Sequence, residues 1–314
     1  MKTPPPLHLA GYQGGTSILT GALTHLARRL DDSSVGTPHL LTDVTAIGQS
    51  AASLFDSVER GERQIGYMAS GYLSARVPEL AVLDLPFSVQ DRAAALAALD
   101  GHAGDLLRDA VARQSGFHVL AFWDNGFRHI SNAVRPLRSP ADCQGLVIRT
   151  LDSELYRQAL GALGFKAITT DVKELVRVVQ DGTVQAQENP LTNLLAFDLW
   201  KHHPHVSMSG HFFGVLLLVC PRTWHEQLST AQRAELQAAV DEATALQRKS
   251  AAAQDDSALQ RLRALGVQVL GPEDMDLPAL REATATVRER YLQSLPAELV
   301  QAYLHADARE PAVP

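Results

Sequence analysis

Short apolar segments alternate with longer amphipathic segments along the first 125 residues. Apolar side chains recur at three- and four-residue spacing in 16–30 and 50–60, which predicts two helices, and 91–114 predicts one or two more. Strands are predicted for the apolar runs at 7–10, 39–42, 64–68, 79–87 and 117–123. Strands that alternate with helices in this way indicate a mostly parallel sheet with helices on both faces.

The same alternation restarts near residue 146. Strands are predicted at 146–149, 183–187 and 212–219, and helices at 153–163, 172–180 (with Asp171 as N-cap) and about 230–265. A chain of 314 residues exceeds one typical domain, so the restart indicates two lobes. We expect a first lobe at 1–124 plus about 212–250, a second at 125–211 plus about 251–306, and a flexible tail at 307–314.

The composition is that of a globular protein with a moderate negative charge. Apolar residues make up 46% of the chain and charged residues 20%, and 28 basic against 35 acidic side chains give a formal net charge of −7. This balance, with no run of five basic residues, argues against a nucleic-acid partner. The longest uncharged apolar run, 212–220, is less than half of the roughly 20 residues that a bilayer crossing requires, so it predicts a buried strand.

The first fifteen residues contain no hydrophobic h-region, so the sequence shows no signal peptide. We expect either a cytosolic protein or a chain that begins near its mature end. Two cysteines, Cys143 and Cys220, are too few for a disulfide framework. Two buried, reduced thiols are expected, although a single bridge would also fit.

Three polar clusters between residues 123 and 190 carry the candidate chemistry. They are WDNGFRHISN at 123–132, GLVIRT at 145–150 and QENP at 187–190. Arg128, Arg149 and Asn189 each stand at the edge of an apolar segment. Arginine presents a planar fork of donors that matches a carboxylate, and asparagine adds a donor and an acceptor. The three residues therefore predict a closed cleft that holds one carboxylate.

Each of these residues also has a structural interpretation. Arg149 in a buried strand would alternatively form a salt bridge with Glu188 or Asp152, because an unpaired buried arginine is costly. Arg128 lies where a strand gives way to a loop and would serve as a structural hydrogen-bond donor. Asn189 precedes a proline and would be a turn residue.

A group of histidines invites a zinc hypothesis, and the group comprises His202, His203, His205 and His211. The histidines lack the i, i+4 spacing of a helical zinc site and have no cysteine nearby, so solvent-exposed loop histidines are expected instead. The sequence contains no recognisable nucleophile, P-loop, dinucleotide or metal motif. We therefore expect neither a cofactor nor a metal.

The order and spacing of these clusters resemble the solute-binding proteins of tripartite ATP-independent periplasmic (TRAP) transporters, the DctP family. The resemblance extends from about residue 7 to 270. The motifs that carry it are VLDLPF at 82–87, GFR at 126–128 with SN at 131–132, PLRSPADCQGLVIR at 136–149, ALG at 162–164, EL at 174–175 with Gly182, and QENP at 187–190. The family fold is α/β and resembles other periplasmic binding proteins. Two lobes of mixed sheets flanked by helices are joined by hinge strands and one long connecting helix, to which 230–265 is similar.

The resemblance also implies roles for individual residues. In the family, the arginine that matches Arg149 pairs with the ligand carboxylate, and the residues that match Arg128 and Asn189 assist it. The remaining ligand contacts are expected from residues around the cleft, which are Tyr12, Gln13, Gln49, Tyr67 and Phe213, with Tyr72 and Phe212 as further candidates for its wall.

The chain departs from the family pattern at several positions. Gln185 stands where an acid is usual, Lys166 and Ala167 replace a common proline, and Gln49 only approximates a position that helps polar ligands such as sialic acid. Fewer acids and more aromatic residues predict a ligand that is less hydroxylated than a sugar acid.

The leading hypothesis is a monomeric, non-enzymatic periplasmic protein that delivers a small organic acid to the membrane subunits of a TRAP transporter. The expected ligand is a 2-hydroxy or 2-oxo monocarboxylate with an apolar or aromatic body. One alternative is a cytosolic or tethered organic-acid sensor with the same pocket. The other is an enzyme on a two-lobed α/β scaffold that uses the histidines or Cys143, for which no nucleophile–base pair is recognisable.

Overall fold

The computed structural model describes residues 5–304, and the predicted tail at 307–314 lies outside this range. Within it, nine strands form one mixed sheet. The strands are β1 (Pro6–Ala10), β2 (Thr37–Leu41), β3 (Ile65–Ala69), β4 (Phe117–Asn132), β5 (Val147–Thr150), β6 (Lys166–Thr169), β7 (Ala186–Asn189), β8 (His205–Pro221) and β9 (Gln268–Leu270). Their order is β2-β1-β3-β8-β4-β7-β5-β6, and β9 pairs with β8.

Helices cover the sheet in both lobes. The α-helices of the described range are α1 (Ile18–Leu30), α2 (Ala51–Glu59), α3 (Arg92–Asp100), α4 (His102–Gln114), α5 (Pro140–Cys143), α6 (Glu154–Ala162), α7 (Val172–Gln180), α8 (Leu191–Ala196), α9 (Arg222–Gln227), α10 (Thr230–Ala264), α11 (Leu277–Ala283), α12 (Ala285–Ser294) and α13 (Ala297–Leu304). Short 3-10 helices occur at Thr45–Ile47, Ser70–Tyr72, Pro78–Asp84, Leu199–Lys201 and Pro272–Asp274. Over residues 5–304, no helix has both the length and the apolar character needed to cross a bilayer.

The two lobes share their longest strands. The outer strands pair in parallel, β1 with β2 and β3 on one side and β5 with β6 and β7 on the other. Between these groups, β4 and β8 pair antiparallel from Phe117 opposite Pro221 to Asn132 opposite His205. Three register shifts interrupt this pairing, one of them between Asp124 and Gly126. Such irregularities bend a strand and re-aim its side chains, so the strands redirect where they pass from one lobe to the other.

Three apolar cores support the fold, and the largest also contains Leu155, Tyr156 and Ala159 of α6. The largest core contains residues of β1, β3, α1 and α4 together with the 117–123 part of β4 and the 215–220 part of β8. Two smaller cores lie on the other side, one around β5 and α6 and one around α7, α8 and the C-terminal part of α10. The lobe limits given above stay a prediction, and α13 packs on the largest core through Leu299 and Tyr303.

The long helix α10 connects these cores and is bonded to β4 at its middle. Its Ala239 and Val240 pack in the largest core, whereas Ala258 and Leu262 pack in a smaller one. Halfway along, the fully buried Gln247 accepts a hydrogen bond from the Asp124 backbone N–H (2.9 Å) and donates one to the Asp124 carbonyl (2.6 Å). The side-chain amide of Gln247 thus bonds to the backbone of Asp124 as a neighbouring strand would, next to the irregularity of β4. These two bonds fix α10 to β4 where the strand passes from one lobe to the other.

Most elements match the sequence patterns, with three corrections. The segment 79–87 is not a strand but the 3-10 helix Pro78–Asp84 followed by a turn, because a short buried apolar run does not by itself distinguish a strand from a helix. β7 begins at Ala186 rather than at 183, because Thr183 caps the turn after α7 by bonding to Asp181. β4 and β8 are about twice as long as the predicted strands. Cys143 and Cys220 are both free and buried, as expected.

We expect Gln247→Leu to lower the free energy of unfolding by at least about 2 kcal/mol, because it leaves a buried donor and a buried acceptor of β4 without partners. Denaturant unfolding would measure the change. Gln237→Leu is the matched control, since this exposed glutamine on the same helix bonds only to Asp241 and its loss should cost less than about 0.5 kcal/mol. Similar losses in the two variants would contradict the role of Gln247.

Candidate functional site

A small cavity lies where the two lobes meet. Its volume is about 30 Å³, close to the share of one molecule in liquid water. The residues that line it come from both lobes and are Tyr12, Gln13, Ala69, Tyr72, Asn125, Arg128, Arg149, Leu151, Val172, Asn189, Asn193 and Phe197. A larger open groove of about 530 Å³ runs along α1, α8 and α10 and shares Asn193 with the cavity. The cavity, rather than the groove, contains both arginines.

Arg128 on β4 is paired with a buried acid. Its guanidinium donates to both carboxylate oxygens of Glu188, to the Glu188 carbonyl (2.9 Å) and to Asn189 Oδ1 (3.3 Å). Thr150 also donates to this carboxylate, at 2.8 Å. Burial acts to raise the pKa of Glu188, but the Arg128 charge outweighs it and lowers that pKa to about 2. The positive charge of Arg128 is therefore compensated inside the protein.

Arg149 at the end of β5 has a different environment. Its side chain is buried, and its Nε and Nη2 donate to the hydroxyl (3.1 Å) and the carbonyl of Thr170. No carboxylate of residues 5–304 lies within ion-pair distance of it, so the salt bridge to Glu188 or Asp152 does not form. Burial lowers the pKa of Arg149, yet a guanidinium stays charged in proteins. The cavity wall thus carries one uncompensated cation.

Asn189 is bonded at both ends of its amide. The Nδ2 group donates to Gln187 (2.6 Å), while Oδ1 accepts from Arg128 and from Asn193 (3.1 Å). The chain of amides fixes the orientation of the Arg128 guanidinium. Asn189 lines the cavity, and it is the last residue of β7 rather than the turn residue that the sequence offered as an alternative.

Tyr12 and Gln13 follow β1 and form the first-lobe side of the cavity. Burial raises the pKa of Tyr12, so its phenol stays neutral and available as a donor. Gln13 accepts a hydrogen bond from Ser17, the N-cap of α1, which fixes its side chain. Both residues lie on the cavity as the sequence predicts.

Three of the predicted ligand contacts lie elsewhere. Tyr67 is fully buried behind Tyr12, with ring centroids 4.9 Å apart, and its hydroxyl accepts from the Tyr12 backbone N–H. Phe213 packs against Phe127. Gln49 accepts a hydrogen bond from Arg63 at 3.0 Å. None of the three lines the cavity.

The cavity wall also contains side chains that the sequence-based site omitted. Tyr72 was considered only as a wall candidate, Asn125 stands inside the first polar cluster, and Asn193 follows QENP by three residues. Tyr72 and Asn193 reach the wall through the helical turns that follow β3 and β7, and Asn125 reaches it through the irregularity of β4, none of which has a distinctive sequence pattern. No pattern in the sequence indicated Phe197 as a residue of the site.

The histidines are not exposed loop residues, which corrects the prediction from the sequence. His203 and His211 are fully buried, and His211 Nε2 lies 3.7 Å from Glu188. Burial lowers the pKa of His211, against the opposing effect of Glu188, and lowers that of His203 to about 4. Within residues 5–304, no three metal-ligating side chains come together.

A family model and several relatives match the chain over most of its length. The model of DctP, bacterial extracellular solute-binding protein family 7, matches residues 10–294. The 2,3-diketo-L-gulonate-binding periplasmic protein YiaO of Escherichia coli is 29% identical over 81% of this chain and 77% of its own length. A solute-binding protein of Verminephrobacter eiseniae is also 29% identical, over 78% of this chain and 72% of its own length.

Solved structures agree over nearly the whole fold. The sugar acid binding protein of Advenella mimigardefordensis, in complex with galactonate, superposes with a TM-score of 0.90 at 25% identity and covers 98% of this chain and 99% of its own. A TRAP periplasmic solute-binding protein of a Polaromonas species, bound to D-erythronate, gives 0.89 at 25% identity and covers 96% and 98%. With the two-lobed fold and the buried cavity, these matches show that the chain belongs to the DctP family of bacterial extracellular solute-binding proteins and is a TRAP-type binding protein rather than an enzyme.

Proposed function

We propose that this protein is the periplasmic binding component of a TRAP transporter and holds a small monocarboxylate on Arg149 between its closing lobes. The observation that carries the proposal is the isolated charge of Arg149. The side chain is buried at the lobe boundary, lines the cavity and has no acidic partner in residues 5–304. Burying an uncompensated charge is costly, and an anionic ligand would remove that cost.

The charge of the cavity wall supports a ligand with one carboxylate. Arg128 and Glu188 neutralise each other, so Arg149 alone is left to balance a ligand. A second carboxylate in the same closed space would have no cation to pair with and would carry its own desolvation cost. A monocarboxylate therefore fits the wall better than a dicarboxylate.

The remaining wall supports a 2-hydroxy or 2-oxo acid with further hydroxyl groups. Amides of Gln13, Asn125 and Asn193 and the hydroxyls of Tyr12 and Tyr72 surround the arginines. Gln13 and Asn193 each use one amide atom within the protein, which leaves the other amide atom for the hydroxyl groups of a ligand. Galactonate and D-erythronate, bound by the two structural relatives, are 2-hydroxy acids. This wall favours a hydroxylated body over the apolar or aromatic body that the sequence suggested.

The partners follow from the family. TRAP-type binding proteins work with membrane subunits of the transporter, and we propose that this chain does so as a monomer. We also propose that its lobes divide near the limits predicted from the sequence, except that α13 belongs with the first lobe because it packs on the largest core. β4, β8 and α10 then cross between the lobes, and the chain crosses a fourth time between α11 and α13.

A thermal-shift panel would test the ligand class. We expect galactonate and erythronate to raise the melting temperature more than lactate or pyruvate, because ligand at 1,000 times Kd stabilises by about 4 kcal/mol. Neutral galactose is the matched control for the carboxylate and should have no effect. Stabilisation by mandelate and benzoylformate alone would favour an aromatic body, and stabilisation by succinate alone would contradict the single-charge argument.

Arg149→Ala should weaken binding of the strongest acid from that panel by at least about 100-fold, since removing one partner of a buried ion pair costs roughly 3–5 kcal/mol. Arg149→Lys should recover only part of the affinity, because an ammonium cannot form the bidentate contact. Isothermal titration calorimetry would give both values. Arg135→Ala is the control, since Arg135 likewise donates to a backbone carbonyl but lies away from the cavity. Normal affinity in folded Arg149→Ala would exclude this anchor.

Ligand should also close the lobes, because a ligand held between two lobes favours the state in which both contact it. Small-angle scattering should show a smaller radius of gyration when the strongest acid of the panel is added. Arg149→Ala at the same acid concentration should show no change. A profile of the unaltered protein that stays constant at saturation would indicate a rigid scaffold.

A further inference from the structure

We infer that Thr170 and Asp171 are positioning residues that couple ligand contact at Arg149 to closure of the lobes. The inference rests on the function proposed above. The two residues are consecutive in the chain, between β6 and α7, and each contacts a different part of the closing machinery. Thr170 bonds to the arginine, and Asp171 bonds across the lobe boundary.

Thr170 determines which edge of the Arg149 guanidinium is available. Its hydroxyl accepts from Nε at 3.1 Å, and its carbonyl accepts from Nη2. Both acceptors lie on one edge of the planar group, so a carboxylate would approach the other edge, formed by Nη1 and Nη2, beside the Tyr72 hydroxyl. Because a bidentate contact requires a complete edge, Thr170 orients the arginine for it.

Asp171 links the N-termini of two helices that belong to different lobes. One carboxylate oxygen accepts from the Lys173 backbone N–H (2.9 Å), which caps α7, and from the Ala51 backbone N–H (3.4 Å), the first residue of α2. Leu54 of α2 packs in the largest core, whereas Leu175 of α7 packs in a smaller core of the second lobe. A carboxylate is favoured at either helix N-terminus, and here it is shared by both.

Neighbouring contacts confirm that the start of α7 docks on the opposite lobe. Lys173 Nζ donates to the Gly48 carbonyl at 2.8 Å, just before α2. The side chain of Val172 packs on the largest core and on a second-lobe core at once. Separation of the lobes would break all of these contacts, because residues 48–51 and 171–173 are on opposite sides.

The two steps form one sequence of contacts. A ligand that engages Arg149 fixes the guanidinium against Thr170, and Thr170 fixes the position of the next residue. Asp171 then meets the α2 N-terminus, which adds a bond that only the closed state has. Ligand binding at Arg149 thereby favours the contact of Asp171 with the other lobe, through two consecutive residues of the chain.

Matched substitutions separate coupling from simple loss of a hydrogen bond. Thr170→Val removes the hydroxyl and keeps the shape, whereas Thr170→Ser restores the hydroxyl. Asp171→Ala removes the shared carboxylate, whereas Asp171→Asn keeps an oxygen that can cap both helices. Asp91→Ala is the control, because Asp91 caps α3 through Ala93 and Ala94 without contacting the other lobe.

Closure can be followed by energy transfer between dyes on the lobes, attached at Asp32→Cys and Lys166→Cys, which are exposed positions. The native Cys143 and Cys220 are buried and should stay unlabelled. The probes are D-galactonate and D-erythronate, added to the full chain, with affinity measured by calorimetry on the same variants.

We expect Thr170→Val to weaken probe affinity about 10-fold and Asp171→Ala about 3-fold, with Thr170→Ser, Asp171→Asn and Asp91→Ala within about 2-fold of the parent. Asp171→Ala should also lower the closed fraction at every probe concentration. Two outcomes would overturn the inference. One is equal affinity and equal closed fraction in Asp171→Ala and Asp91→Ala. The other is a loss of affinity in Thr170→Ser as large as in Thr170→Val.

A failure of the proposed function gives a different result. If neither acid changes energy transfer in the parent chain, the ligand class is wrong, and the ligand-free closed fraction then decides the inference. A lower ligand-free closed fraction in Asp171→Ala than in Asp91→Ala would support the lobe contact, and equal fractions would overturn it.

Discussion

The antiparallel pairing of β4 with β8 is the constraint on which the rest of the structure depends. Both strands run through the two lobes, with 16 and 17 residues, so a change in their register would move the site and both cores together. The irregularity between Asp124 and Gly126 lets the strand turn at the boundary, and Gln247 of α10 compensates the backbone groups that this turn exposes. The proposed hinge and the cavity-lining residue Arg128 thus come from the same strand.

The two arginines show how environment separates side chains of the same type. Arg128 has a buried acid, a tyrosine ring 5.6 Å away and the amide of Asn189 around it, so its charge is compensated within the protein. Arg149 donates to the neutral hydroxyl and carbonyl of Thr170 and lies beside the neutral Tyr72 hydroxyl, and none of these groups cancels its charge. A buried ion pair adds little net stability, but it orders the groups around it. The paired arginine therefore shapes the cavity, and the unpaired one leaves on its wall the positive charge on which the proposed anion site rests.

Local patterns predicted much of the fold, because helices such as α7 and strands such as β1 have periodic apolar faces and clear caps. Local patterns failed for 79–87, because a uniformly buried segment shows no alternation of apolar and polar residues that would distinguish a strand from a helix. Arg128, Arg149, Asn189, Tyr12 and Gln13 do meet at one cavity. Local patterns do not show that Arg128 rather than Arg149 pairs with Glu188, or that Tyr67 lies behind Tyr12. Both contacts join residues more than 50 positions apart and depend on strand register and packing.

The position of the cavity between the lobes has a kinetic consequence. Residues of both lobes line it, so a molecule held by the proposed site would leave when the lobes separate. Residence time is then limited by how often the lobes separate, and not by how quickly a single contact breaks. Two acids of different equilibrium affinity would leave at similar rates unless they also shift the opening frequency. A receiving membrane complex could accelerate release simply by holding the lobes apart.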